Sequence, residues 1–235
     1  MRLNKFISES GVCSRREADA WISAGRVTVN GKRAALGTQV TEGDAVQMDG
    51  KPLAASRKDV YIALNKPRGI TCTTERHVAD NIVAFIGHRE RIFPIGRLDK
   101  DSEGLILLTN NGDIVNEILR VEHGHEKEYL VTVERPVTAI FLAMLAGGVK
   151  IGGEKTRPCA VKQTGPTVFR IVLTQGLNRQ VRRMCSALGY RVQRLQRVRI
   201  MHIELGTLAS GRWRDLSDAE IRPLLAAKAA RTAAR

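Results

Sequence analysis

The sequence predicts an α+β fold in two unequal parts, a small basic module followed by a larger domain on a mixed or antiparallel sheet. Three observations predict it. Short helical and strand patterns crowd the first 53 residues. Beyond them, apolar runs of strand length and helical stripes are interspersed without the regular β-α-β alternation of a parallel sheet. Between the two lies Leu53 to Asp59, polar, basic and without periodicity. The domains are therefore expected at 1–58, a module with its linker, and 59–223. Residues 224–235 form a basic tail, rich in Ala, Lys and Arg, that frays or makes a loose helix.

In the module, Leu3, Phe6 and Ile7 stand at helical spacing and Gly11 can stop that helix. Ser14 and Glu17 have the spacing of a capping box, in which the serine caps the amides and the glutamate reaches back. The helix they start puts Ala18, Trp21 and Ile22 on one face and ends at Gly25. Val27 and Val29 alternate with polar residues before Asn30-Gly31, a strong hairpin-turn signal. Short strands follow around Val40, Val46 and Met48. In the larger domain, Val60–Leu64, Leu105–Thr109, Tyr129–Val133 and Val168–Leu173 read as strands. Val181, Met184, Cys185 and Leu188 form a helical stripe, with Asn178 as its cap and Gly189 as its stop. Arg191, Arg194, Arg197 and Arg199 alternate imperfectly with Val192, Leu195, Val198 and Ile200, giving a strand with one apolar side and one charged side turned to RNA or water.

Composition sets the partner class. The 235 residues carry 38 Lys+Arg against 24 Asp+Glu, a net charge of +14. Such a balance speaks to partners rather than to fold, and polyphosphate is the commonest partner of a basic protein. Cys13, Cys72, Cys159 and Cys185 are far apart, which argues against a zinc site or a disulfide framework and for a reducing compartment. The first residues are too polar for a signal peptide, and the most apolar stretch, Ala139–Ala146, is too short to span a bilayer. A soluble cytoplasmic protein is expected, with no membrane contact and as a monomer.

The segment richest in chemistry is Pro94 to Leu105, a polar loop closed by Gly104 and feeding an apolar strand. Its acids, Asp99, Asp101 and Glu103, alternate. They fit a Mg²⁺ site, or one reacting acid with two solvated neighbours, or an acidic surface turn. Spacing alone leaves these open.

Two resemblances bear on the choice. Arg2-Leu-Asn-Lys-Phe-Ile, Ser14-Arg-Arg-Glu-Ala and Ile22 through Gly31 resemble an S4 domain, the small αL-type RNA-binding fold. Independently of that likeness, Arg15 and Arg16 sit beside the positive amide end of a helix, where phosphate binds well. Gly96-Arg97-Leu98-Asp99 with Ser102-Glu103-Gly104-Leu105 resembles the signature of the S4-bearing rRNA pseudouridine synthases. Asn65-Lys66-Pro67-Arg68-Gly69, Lys127-Glu128-Tyr129 and Gly176 to Met184 resemble further motifs of that family, in the same order. Leu177 departs from it, standing where many relatives carry a basic residue. Details around Arg199-Ile-Met and Gly211-Arg-Trp-Arg are most similar to the F branch of the synthases that modify large-subunit rRNA.

The resemblance implies a catalytic domain on a mixed, mainly antiparallel sheet flanked by helices, working without cofactor or metal on 23S rRNA near the peptidyl-transferase centre, with a tRNA anticodon as a second substrate. The target uridine must be flipped out of its stack. Asp99 is implied as the essential carboxylate, Arg182 as its bidentate partner and Tyr129 as the platform under the uracil. Arg97 is implied to fill the space the base leaves, and Lys127, Arg179 and Arg183 to hold phosphates. Asp101 and Glu103 remain as loop structure. Arg2, Lys5, Arg15, Arg16, Arg26 and Lys32 are the expected RNA contacts of the module. Two other classes compete: a non-catalytic S4 protein of ribosome assembly, and a metal-dependent nuclease using Asp99, Asp101 and Glu103.

Overall fold

The structure is a computed structural model and describes residues 1–53, 58–119 and 124–232, with only the backbone described at 116, 117 and 227–232. Most of the expected linker (54–57) and the last three residues of the expected tail lie outside the described residues. The chain divides into two compact units. One is Met1–Val60 with His88–Ile92 and Asn110–Gly112; the other is Tyr61–Gly87, Phe93–Thr109 and Asp113–Arg235.

The first unit holds α1 (Leu3–Glu9), α2 (Arg15–Ser23), β1 (Val27–Val29), β2 (Lys32–Arg33), β3 (Val46–Met48) and β4 (Lys51–Pro52). The capping box is formed: Glu17 N–H donates to Ser14 Oγ at 3.2 Å and Ser14 N–H to Glu17 Oε2 at 2.7 Å. Asn30 (φ 51°) and Gly31 (φ 76°) both take the left-handed region, as a tight β1–β2 hairpin requires. The antiparallel sheet, in the order β2-β1-β3-β4, packs Val27 and Val46 against Leu3, Ile7, Ala18 and Ile22 of the helices. Val40 is buried but forms no strand. Its N–H donates to the Met1 carbonyl at 2.8 Å and its carbonyl accepts from the Met1 amine at 2.6 Å, so its backbone pairs with the chain's first residue instead.

The second unit contains β5 (Tyr61–Lys66), α3 (Ile82–Ile86), β6 (Phe93–Ile95), β7 (Glu103–Thr109), α4 (Gly112–Leu119), β8 (Lys127–Val133), α5 (Ala139–Ala146), β9 (Lys150–Ile151), β10 (Glu154–Lys155), β11 (Ala160–Gly165), β12 (Val168–Leu173), α6 (Gln180–Ala187), β13 (Val192–Ile200), β14 (Ile203–Glu204), β15 (Trp213–Asp215) and α7 (Asp218–Thr232). One large sheet runs β11-β12-β8-β13-β7-β5-β15, with β14 on β13 and β6 on β7. Every pairing in it is antiparallel except β13 with β7, so the sheet is mixed and mainly antiparallel, as expected. All six residues of β5 are buried, which explains why Tyr61–Leu64 run apolar without alternation: that stretch is covered on both faces. Val131, Phe169, Val181 and Met184 belong to one core; Ala63, Leu105, Leu107 and Ile200 belong to another.

Three further local expectations fail for identifiable reasons. Helix α6 is not capped by Asn178: its N-cap is Arg179, left-handed at φ 49°, and Gln180 Oε1 accepts the Leu177 N–H at 3.1 Å. Its end does fall at Leu188, with Gly189 left-handed after it. Pro223 marks no boundary, because α7 runs through it although proline brings no N–H to the helix ladder. Strand β13 does not keep one apolar side. Its register against β8 shifts between Val192 and Arg194 and again between Arg197 and Arg199, and a one-residue shift changes which face a side chain meets. Leu195, Arg197 and Ile200 are the buried residues, while Val198 is half-buried.

Candidate active site

The acidic loop leaves β6 at Gly96 (φ 79°) and enters β7 at Glu103. It is tied at both sides: Ser102 N–H donates to the Asp99 carbonyl at 3.0 Å, and Gly69 N–H to the Lys100 carbonyl at 2.8 Å. Gly104, at φ 101°, faces Arg197 across the parallel pairing of β7 and β13, and a Cβ there would lie 2.3 Å from the Arg197 carbonyl oxygen. That close approach explains the glycine in the Ser-Glu-Gly-Leu sequence.

The arginines of α6 clamp this loop. Arg179 forks onto Asp101, with Nη1 donating to Oδ1 at 3.1 Å and Nη2 to Oδ2 at 3.0 Å. This bond holds the Asp101 carboxyl below the usual aspartate range. Arg182, one turn further on, donates Nη2 to the Asp101 carbonyl at 3.0 Å and to Ser102 Oγ at 3.3 Å, and Nη1 to the Val192 carbonyl at 3.2 Å. Its Nε lies 3.3 Å from Asp101 Oδ2 but is not aligned to bond. The implied bidentate contact between Arg182 and Asp99 is thus absent. The cation beside Asp99 is Arg179, with Nη1 3.6 Å from Oδ2. Arg182 is short of reach because it is spent on the loop backbone.

Asp99 is only half-buried and opens onto two spaces. A cavity of about 470 Å³ is lined by Asp99, Tyr129, Lys127, Arg97, Leu195 and Arg197 among others, a volume within the range of small-molecule sites. An adjoining cleft of about 740 Å³ shares Arg97, Asp99 and Arg179 and adds Arg68 and Lys100. Tyr129 stands on β8 directly opposite Arg197 on β13. Lys127, expected at a phosphate, lies in the cavity wall with Nζ donating to the His125 carbonyl at 3.2 Å; burial, then Arg197 nearby, pulls its pKa down. Arg97 is exposed at the mouth and lines both spaces. Arg183 is exposed on α6 and does not line the cavity.

The three acids do not converge. Asp99 lies beside Arg179, Asp101 is clamped by Arg179 and Arg182, and Glu103 bonds Arg194 on β13. Among the described residues no three His, Cys, Asp or Glu are placed to hold a metal ion. The arrangement is one acid facing a cavity, with its neighbours used to shape the loop.

Asp101, expected as loop structure, serves as that and anchors the clamp. Sequence reasoning misses two buried cations on the strands beside the site. Lys66 is fully buried, with Nζ donating to the Pro67 and Ile70 carbonyls at 2.9 Å each. Arg197, expected on a charged side, is 4% exposed. The uneven spacing from Leu195 to Val198 to Ile200 is the available signal, since a step of three inside a strand betrays a bulge.

In the first unit, Arg2, Arg15, Arg16, Lys32 and Arg33 are exposed. Lys5 pairs with Glu9 at 3.4 Å. Arg26 bonds Asp49 and lies 5.3 Å from the Trp21 ring centre.

Known proteins share this architecture. Residues 60–187 match the RNA pseudouridylate synthase family, and residues 1–46 match the S4 domain. The chain belongs to the S4-bearing pseudouridine synthases and is an enzyme of that class. It is 58% identical over 222 residues to the dual-specificity RNA pseudouridine synthase RluF of Salmonella typhi, covering 94% of this chain and 77% of that one. It is 35% identical to ribosomal large subunit pseudouridine synthase B of Bacillus subtilis, over 96% of both chains. A solved pseudouridylate synthase superposes with a TM-score of 0.68 at 31% identity, covering 95% of this chain and 99% of that one.

Proposed function

We propose that this synthase isomerises a specific uridine of 23S rRNA in the peptidyl-transferase-centre region and a tRNA anticodon uridine as a second substrate, acting as a cytoplasmic monomer without cofactor. The relative at 58% identity is named a dual-specificity RNA pseudouridine synthase and the Bacillus protein a ribosomal large-subunit synthase, which supports this substrate range. Asp99 is the reacting carboxylate. The observation that carries this assignment is that Asp99 is the loop acid lining the same cavity as Tyr129 while its neighbours Asp101 and Glu103 are bonded to arginines. In the reaction the C1′–N1 bond breaks, the uracil turns, and a C1′–C5 bond forms. A proton leaves C5 and one is gained at N1, so atoms and electrons balance with no added reagent. Asp99 serves as nucleophile or base near C1′–C2′ of the ribose. Tyr129 carries the flipped base, Arg182 fixes the loop that presents Asp99, and Arg97 enters the space vacated in the RNA. Arg179 and Arg183, exposed at the start of α6, hold phosphates. The exposed Arg2, Arg15, Arg16 and Lys32 of the S4 unit hold the RNA through its backbone, with Lys5 and Arg26 beside them.

The test is incubation of unmodified 23S rRNA and tRNA transcripts with the enzyme, in EDTA and in parallel with Mg²⁺, followed by mapping of pseudouridine by carbodiimide-blocked primer extension. Wild type gives a new stop and Asp99→Ala gives none, a loss of about 10⁴-fold or more. Equal stops from both proteins would remove Asp99 from the chemistry, and strand cleavage requiring Mg²⁺ would favour the nuclease reading.

A further inference from the structure

Arg197 is held in an unusual state for a charged side chain. It is 4% exposed, its Nε donates to the Leu105 carbonyl at 2.7 Å, and its Nη2 is buried without a hydrogen-bond partner among the described residues. A buried donor on a cation that makes no bond costs stability, so its persistence calls for a partner that arrives later. The side chain lines the cavity that Asp99 and Tyr129 also line. Its place is fixed by the sheet: Tyr129 of β8 is its cross-strand neighbour on one side and Gly104 of β7 on the other, and residues paired in this way point to one face. The guanidinium therefore sits beside the ring proposed to carry the base.

We infer that Arg197 is a substrate-binding residue whose Nη2 N–H donates to a carbonyl oxygen of the uracil held on Tyr129. The inference rests on the reading of Asp99 and Tyr129 given above. Two side-chain acceptors of the cavity wall are occupied: Gln175 Oε1 accepts from Arg157 N–H at 2.7 Å and from Gln180 Nε2 at 3.2 Å, and Gln180 Oε1 accepts from Leu177 N–H. No described acceptor bonds Nη2, so the ligand supplies it. A phosphate is the weaker candidate. The cavity wall around Arg197 includes Leu107, Leu195 and Ile200, which suits a flat base, and the exposed Arg97, which lines both spaces, is the cation a phosphate would meet first. Anchoring through Nε leaves the donor direction fixed before the base arrives, which is the pre-organisation that discriminates by hydrogen bonding.

The experiment is single-turnover kinetics on RNA carrying uridine, 2-thiouridine or 4-thiouridine at the target, because sulfur accepts hydrogen bonds poorly. Wild type, Arg197→Met, Arg197→Lys and Asp99→Ala are compared, with thermal melting to establish that each is folded. The expected result is that Arg197→Met slows the uridine reaction about 10- to 100-fold with RNA affinity nearly unchanged. One thio position should slow wild type but add nothing to Arg197→Met. Should Arg197→Met not fold because the Leu105 carbonyl loses its donor, the same comparison is made with Arg197→Lys, which keeps an ammonium donor and should show reduced coupling to that thio position. Equal thio effects in wild type and variants would overturn the inference. So would a uniform loss across all three substrates accompanied by weaker RNA binding, which would assign the group to phosphate. Activity in Asp99→Ala would instead bring down the reading of the site, a separately visible failure.

Discussion

The basic residues of the N-terminal unit and those of the catalytic unit differ in what holds them. Arg15, Arg16, Lys32 and Arg33 stand exposed around a small core of Leu3, Ile7, Ala18 and Val27. Arg179, Arg182 and Arg197 are tied to carboxylates and carbonyls, and Arg197 is buried outright. Residues of both kinds count alike in the +14 net charge. The first group creates an attractive field whose strength falls with salt and which tolerates rearrangement of any one side chain. The second uses the rigid fork of guanidinium to set positions, where displacement of a single group is felt. Charge counting predicts a nucleic-acid partner from either group but cannot tell binding from construction.

The comparison can be broken at its strongest point by Gly104→Ala. A Cβ there would meet the Arg197 carbonyl at 2.3 Å, and the backbone is at φ 101°. The variant should lose about 3 kcal/mol or more of stability, read as a large fall in Tm and in denaturation midpoint. Wild-type melting would show that the β7–β13 approach is not a tight one. Next in size is Arg182→Met, which strips donors from the Asp101 and Val192 carbonyls and Ser102 Oγ. Turnover should fall about 10²- to 10³-fold with RNA affinity within about threefold. Unchanged turnover would take Arg182 out of the site, and a matching collapse of affinity would make it a binding arginine like those of the first unit. The smallest effect belongs to Arg15→Ala with Arg16→Ala. RNA affinity should fall about tenfold and the slope of log affinity against log salt by about two, with turnover at saturating RNA unchanged. A drop in that turnover would mean that these exposed arginines also position the target.

Much of the fold is legible where signals are local. The capping box of Ser14 and Glu17, the Asn30-Gly31 turn and the run Val168–Leu173 each depend on neighbours in the chain, and each forms as expected. Asp99, Arg97, Tyr129 and Lys127 line one cavity, but the cation beside Asp99 is Arg179 and not the Arg182 that the motifs imply. What escapes is set by distant parts of the chain. Val40 pairs with Met1, which no window around residue 40 reveals. Arg182 has Ser102 and the Asp101 carbonyl as partners because α6 and the acidic loop meet only in the folded unit. Arg197 faces inward because β13 must follow β8 through register shifts, a demand of the neighbouring strand rather than of its own sequence.

The large sheet has a seam. β7 and β13 are joined by just two registered pairs, Gln196 with Glu103 and Arg197 with Gly104, while β7 continues along β5 and β6, and β13 along β8. One apolar core lies on the β8–β12 side; the other, built mainly on β5 and β7, takes Ile200 and Ile203 from β13 and β14 across the seam. Closing a contact between residues so far apart in sequence is entropically slow, whereas the hairpins on either side are local. Assembly should therefore zip two sub-sheets first and weld them last. Asp99 approaches the weld from one side and Tyr129 from the other, so a nascent or partly unfolded chain has no uridine-sized pocket to offer. RNA captured early by the S4 unit would meet chemistry only after the final join, and amide exchange at Gly104 and Arg197 should report the moment at which the enzyme becomes competent.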